Sequence, residues 1–327
     1  MLLRRTAAPV ARRALFLATA AAVLMLAACQ GKDATSTAAA DTTAPAATPA
    51  ETSTTIHPDQ WPSPKWPFAQ DQALEQRISD VMAKMSVEEK VAQTIQGDIA
   101  SMTPDDVRKY RIGSVLAGGN SDPGGKYDAK PAEWLKLADA FYEASMDTSK
   151  GGNAIPIIFG IDAVHGQSNI VGATLFPHNI GLGATRNPDL IKKIGEVTAA
   201  ETRVTGMEWT FAPTVAVPQD DRWGRSYEGY SESPDVVASF AGKMVEGVQG
   251  VPGTPQFLDG SHVISSVKHF VGDGGTTDGK DQGDTKVSEA TMRDIHAAGY
   301  PPAIAAGAQT VMALSLIHIS EPTRPER

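Results

Sequence analysis

The apolar positions of this chain follow two alternating rhythms. Between residues 71 and 85, Leu74, Ile78, Val81, Met82 and Met85 fall on one helical stripe. Ser86-Val87-Glu88-Glu89 then spells a capping box that opens a second helix. Ile112 to Leu116 is a short β-type run ending in glycines, and Pro131 starts a helix with Leu135, Ala138, Phe141 and Tyr142 in phase. Ile155 to Ile161 reads as a buried strand that stops at Asp162. Asn187-Pro188 is an N-cap and first-turn pair for a helix carrying Ile191, Ile194 and Val197. Trp209 to Ala212 is strand-like, Ser233-Pro234 opens the helix of Val237, Phe240 and Met244, and His262 to Lys268 is again a strand. Ser288 caps a helix with Met292 and Ile295, and Thr310 to Ala313 begins one more strand.

Strands separated by helices of this length predict parallel βα units. A doubly wound sheet would announce itself with a G-x-G-x-x-G turn after its first strand, and none stands there. The expected fold is therefore α/β, a (β/α)8-type barrel. Five strands are well marked and a sixth lies near Ile95, so the barrel is expected to be truncated after five or six of its eight strands.

The two ends follow other rules. Arg4, Arg5, Arg12 and Arg13 precede an apolar run from Ala14 to Ala28 that only Thr19 interrupts. The run falls short of the roughly 20 residues a membrane-spanning helix needs, so residues 1–28 read as an export signal. Leu26-Ala27-Ala28-Cys29 resembles a lipobox, which implies lipidation of Cys29, the one cysteine of the chain. Gln30, rather than Asp, follows it, so the expected address is the outer membrane of a bacterial envelope. From Ala34 to Thr55, 20 of 22 residues are Ala, Thr, Ser or Pro. Such a segment buries too little to offset its ordering entropy, and residues 29–60 are expected to be a tether. Residues 61–313 form the expected globular part. Residues 314–327, LSLIHISEPTRPER, resemble translated sequencing adapter and are expected to be non-native.

Composition narrows the function. The 327 residues are 41% hydrophobic and 20% charged, enough for a sizeable core. The net charge is −9, which disfavours nucleic acid as a partner. One cysteine excludes an internal disulfide.

Three polar clusters stand just past strand ends. These are Gly160 to Gly166 (GIDAVHG), Asp220 to Glu232 (DDRWGRSYEGYSE) and Lys268 to Gly279 (KHFVGDGGTTDG). Active sites of parallel barrels lie at that end. A carboxylate accepts from paired hydroxyls, and Arg and Lys donate without changing protonation state, so the set suits a hydroxyl-rich ligand. Each residue also has a plainer reading: Asp162 as a turn cap, Arg225 as an ion-pair partner of Glu228 or Glu232, Lys268 as a solvated strand end.

Together these motifs resemble glycoside hydrolase family 3, and the helix at Met85-Ser86-Val87-Glu88-Glu89-Lys90-Val91 resembles that family's opening. The resemblance implies a retaining, exo-acting β-glucosidase or β-glucan glucohydrolase that needs no cofactor. It implies that Asp162, Arg225, Lys268 and His269 bind the terminal glucose, with Trp223 and Glu228 shaping the pocket. Val271-Gly272-Asp273 matches the glucosidase type rather than the N-acetylhexosaminidase type. Lys280-Asp281-Gln282-Gly283 stands where the glucanase branch often carries a glutamate. The family's nucleophile is an aspartate in an S-D-W-like motif, and no Ser-Asp-Trp occurs in this sequence. The chain as written is therefore expected to be inert, since a retaining glycosidase needs two carboxyl groups.

Three rival readings stay open at this level. Lys268 could form a Schiff base with a carbonyl substrate, and the protein could be a surface lipoprotein that only holds glucan. A metal site has little support, because His165, His178, His262 and His269 lack ligand spacing. For the lipid anchor, labelled palmitate is expected to enter the protein and to be lost in Cys29→Ser. Equal labelling of both would refute the lipobox reading.

Overall fold

The computed structural model describes residues 56–118 and 121–313. The export signal, Cys29, the tether up to residue 55 and the tail from residue 314 lie outside the described residues.

Among the described residues six strands run parallel in one sheet, in sequence order. They are β1 (Gln96–Asp98), β2 (Ser114–Ala117), β3 (Ile158–Ile161), β4 (Trp209–Thr210), β5 (Ile264–Phe270) and β6 (Thr310–Ala313). Helices α1 (Gln72–Met82) and α2 (Val87–Ala92) precede β1, and α3 (Pro104–Tyr110) follows it. α4 (Pro131–Met146) links β2 to β3, while α5 (Asn179–Ala184) and α6 (Pro188–Arg203) link β3 to β4. α7 (Pro234–Gln249) links β4 to β5, and α8 (Glu289–Thr291, continued by a π turn to His296) and α9 (Tyr300–Ala305) link β5 to β6. Neighbouring strands that are consecutive, parallel and joined by helices make six eighths of a (β/α)8 barrel, as expected.

Element boundaries follow local chemistry. β3 starts at Ile158 rather than Ile155, because Pro156 has no N–H for a ladder. Pro213 follows closely on β4, which has only two residues. The capping box at Ser86 and Glu89 is formed, as is one at Thr103 and Asp106 that opens α3. Asn187 accepts from the Leu190 amide and Ser288 from that of Thr291, but Ser233 makes no side-chain cap. Helices α3, α5 and α9, of six or seven residues, are too short to show a stripe and were not anticipated.

The core has two parts. Val107, Val115, Trp134, Phe141, Phe159 and Ile161 pack where α3 and α4 cover β2 and β3. Ile191, Ile194, Val237, Phe240, Met244 and Val267 pack where α6 and α7 cover β5. The stripe of α1 behaves differently. Leu74, Ile78, Val81 and Met82 all stay well exposed among the described residues. On the strand side, Phe211 lies against Gly160, where an added Cβ would come within 2.5 Å of its ring. The segment before α1 is pinned at its start: Glu289 accepts from the Trp61 indole and from His57.

α6 and α7 cross closely because each offers a glycine. A Cβ on Gly247 would stand 2.2 Å from the Lys192 carbonyl oxygen, and one on Gly195 would stand 3.0 Å from Gly247 Cα. Gly247→Ala is therefore expected to destabilise the protein by about 1–3 kcal/mol through overpacking. That outweighs the roughly 1 kcal/mol of helix propensity that alanine adds. A urea midpoint that rose instead would show that the crossing has room.

Candidate functional site

Asp162 is the first residue past β3, and Lys268 lies within β5. The Lys268 main chain is locked by its N–H to the Pro213 carbonyl and its carbonyl to the Val215 N–H. Its side chain is buried, 5% exposed, and Nζ donates to Asp162 Oδ1 at 2.6 Å. The solvated-terminus reading of Lys268 thus fails, and the Asp162 carboxylate faces an ammonium rather than capping a turn. A buried ammonium needs such a partner, because desolvation without one costs several kcal/mol.

Lys268 and His269 are consecutive yet both line the same hollow. Regular alternation would send them to opposite faces. The register between β5 and β6 shifts between Lys268 and Phe270, and such irregularities re-aim side chains beside sites.

The loop after β4 supplies the second charged pair. Arg225 Nε and Nη2 donate to the two carboxylate oxygens of Glu228 at 2.7 and 2.9 Å. The same Nη2 lies 3.2 Å from His269 Nε2, and His269 Nδ1 lies 2.9 Å from Asp273 Oδ2. Burial pushes the Glu228 carboxyl up, but the bonded Arg225 guanidinium and nearby Lys268 outweigh it and hold it below the ordinary 4.5. Asn179, first residue of α5, donates to the Glu228 carbonyl at 2.7 Å and ties this loop down.

These groups line a cavity of about 480 Å³, within the usual range for a small-ligand site. Asp162, Arg225, Glu228, Lys268 and His269 all reach it. Trp223 stands outside that lining, 2% exposed, with its indole N–H donating to Asp281 Oδ1 at 2.9 Å. Asp281 thus braces Trp223. Sequence reasoning missed a further side of the cavity, formed by His165, His178 and Tyr227. Their rings pack at 4.3 and 4.7 Å between centroids. His165 and Tyr227 stood inside quoted motifs, but no spacing rule marked them as neighbours.

Asp162 and Glu228 are the carboxylates among the lining residues, and both are ion-paired. Among the described residues no group of three His, Cys, Asp or Glu converges to hold a metal ion. Lys268 Nζ is engaged by Asp162, the arrangement of a hydrogen-bond donor rather than of a free amine nucleophile.

Residues 86–323 match the family model for the glycosyl hydrolase family 3 N terminal domain. The chain belongs to glycosyl hydrolase family 3. It is 31% identical over 255 residues to a lysosomal beta glucosidase of Dictyostelium discoideum, covering 72% of this chain and 30% of that protein. A periplasmic beta-glucosidase of Salmonella typhimurium is 27% identical over 235 residues, covering 72% of this chain and 28% of that one. The structure of an exo-1,3/1,4-beta-glucanase from a Pseudoalteromonas species superposes with a TM-score of 0.75 at 55% identity, covering 77% of this chain and 31% of that one. The chain thus spans about 30% of the length of these family 3 relatives.

The two halves of the Asp162–Lys268 pair differ in burial, with side-chain exposures of 37% and 5%. Asp162→Asn strands a buried ammonium and is expected to cost about 3 kcal/mol of stability. Lys268→Met leaves a carboxylate that water reaches and is expected to cost clearly less. Equal losses in chemical denaturation would contradict this asymmetry.

Proposed function

We propose that this protein serves the hydrolysis of terminal β-D-glucosyl residues from β-1,3- and β-1,4-linked glucans, and that the described cavity receives the terminal glucose. The observation that carries this reading is the convergence of Asp162, Lys268, Arg225, Glu228 and His269 on one cavity at the strand ends. The linkage follows the exo-1,3/1,4-beta-glucanase, which is 55% identical to this chain where the two superpose. Asp162 would accept from vicinal hydroxyls, while Lys268 and Arg225 would donate to them. His269 faces the sugar beside them, and Trp223 backs the loop that presents Arg225 and Glu228. We place the protein in the cell envelope, exported by residues 1–28 and lipid-anchored at Cys29. The reading needs no cofactor and no nucleic-acid partner.

A second reading concerns the 327-residue chain alone. Among the described residues both carboxylates that line the cavity are committed to ion pairs, whereas the retaining reaction needs a nucleophile and an acid/base about 5–5.5 Å apart. This chain would then bind glucose without cleaving glucosides.

Titration calorimetry with D-glucose and laminaribiose tests both. Saturable binding of each is expected, weakened at least about tenfold in Arg225→Ala, which corresponds to 1.4 kcal/mol. Absence of binding by a folded protein would sink the sugar-site reading. Release of the aglycone from an aryl β-glucoside, by protein prepared in a host without β-glucosidases, would sink the second.

A further inference from the structure

Behind the cavity lies a chain of four side chains: Glu228, Arg225, His269 and Asp273. The first three line the cavity and Asp273 does not. Asp273 is 5% exposed and sits in the glycine-rich turn after β5. A carboxylate so placed requires a partner. Among the described residues its side-chain hydrogen bond is to His269 Nδ1, at 2.9 Å. The Arg225 guanidinium beyond His269 also feels its charge, whereas the two neighbours behind it offer none. Burial pushes the His296 imidazole down and the Tyr300 hydroxyl up, so each stays neutral near pH 7. A Cβ on Gly275 would meet the His296 ring at 2.3 Å, so that ring closes the turn from behind.

The other face of His269 has a fixed requirement. Arg225 has only donors, and its Nη2 lies 3.2 Å from Nε2. That nitrogen is therefore the acceptor, and the ring proton sits on Nδ1, facing the carboxylate. Arg225 cannot swing to suit another tautomer, because Glu228 grips it through two nitrogen donors. The imidazole is thus held from both sides, and the side away from the cavity belongs to Asp273.

We infer that Asp273 is a positioning residue for sugar binding: as the acceptor for His269 Nδ1–H it holds the angle of the ring, so that Nε2 stays where it accepts from Arg225 and keeps that guanidinium in place for the ligand. This rests on the sugar-site reading above for its consequence, but not for its geometry. The oxygen acceptor is what matters. An amide of the same shape retains that acceptor, and an apolar side chain of similar size does not.

The test combines long-range 15N–1H spectra of histidine-labelled protein with calorimetric titration of D-glucose. In the unaltered chain His269 is expected to carry its proton on Nδ1. In Asp273→Leu the ring is expected to show mixed tautomers and the affinity for glucose to fall about tenfold, the loss of one buried hydrogen bond to a charged group. Asp273→Asn is expected to recover most of that affinity. A proton on Nε2 in the unaltered chain, glucose binding undiminished in Asp273→Leu, or equal losses in the Leu and Asn variants would each overturn the proposal. If the Leu variant does not fold, Asp273→Asn decides: a single Nδ1–H ring together with near-unaltered glucose affinity upholds the acceptor role, and mixed tautomers or a tenfold loss of affinity in that variant overturns it. If the unaltered chain binds no glucose, the sugar-site reading falls, while the spectra still judge the role of Asp273.

Discussion

A lysine ammonium buried at the end of a parallel strand sets the terms for the rest of this molecule. Lys268 is cut off from water on β5, and its counter-charge comes from Asp162 beyond β3. The pair therefore spans β4, which lies between them. Breaking it would leave an uncompensated charge in the interior, a penalty comparable to a large share of a domain's net stability. The ends of three strands are thereby held in one relative position. Arg225, whose loop leaves β4, completes the arrangement by gripping Glu228 and touching His269.

The cations around the cavity are each matched by a carboxylate. Lys268 faces Asp162, Arg225 faces Glu228, and His269 leans on Asp273. Such a site presents many donors and acceptors with no excess of positive charge, which suits a neutral polyhydroxyl ligand better than an anion. Because each group is already anchored, little side-chain entropy remains to be lost when a ligand arrives. Protein-wide charge plays no part in this, for the chain as a whole carries −9.

The scaffold beneath is less uniform. The glycine-lined crossing of α6 and α7 packs the half of the sheet that carries Lys268, and Trp134 and Phe141 of α4 pack the half that carries Asp162. The apolar side of α1, by contrast, stays open among the described residues, bounding with Met85 and Ile155 a hollow of about 380 Å³. The pocket that carries the polar chemistry and the open apolar face of α1 share no lining residue.

Much of this was legible in the residues themselves. The alternation of β-type runs with helical stripes determined a parallel α/β barrel, since both periodicities are local properties of the backbone. Capping at Ser86, Asn187 and Ser288 depends on three or four neighbouring residues, and sequence alone located it. The three motifs marked Asp162, Arg225, Lys268 and His269 as chemistry at strand ends. What sequence could not supply was pairing across distance. That Lys268 is buried and meets a residue 106 positions away, that Trp223 stands behind the cavity on Asp281, and that His165, His178 and Tyr227 stack along its side all depend on how the strands register. The same holds for α1, whose stripe predicts amphipathicity but not a partner. Periodicity is written along the chain, whereas desolvation and ion pairing exist only between segments that folding brings together, and those decided which polar residues form the site.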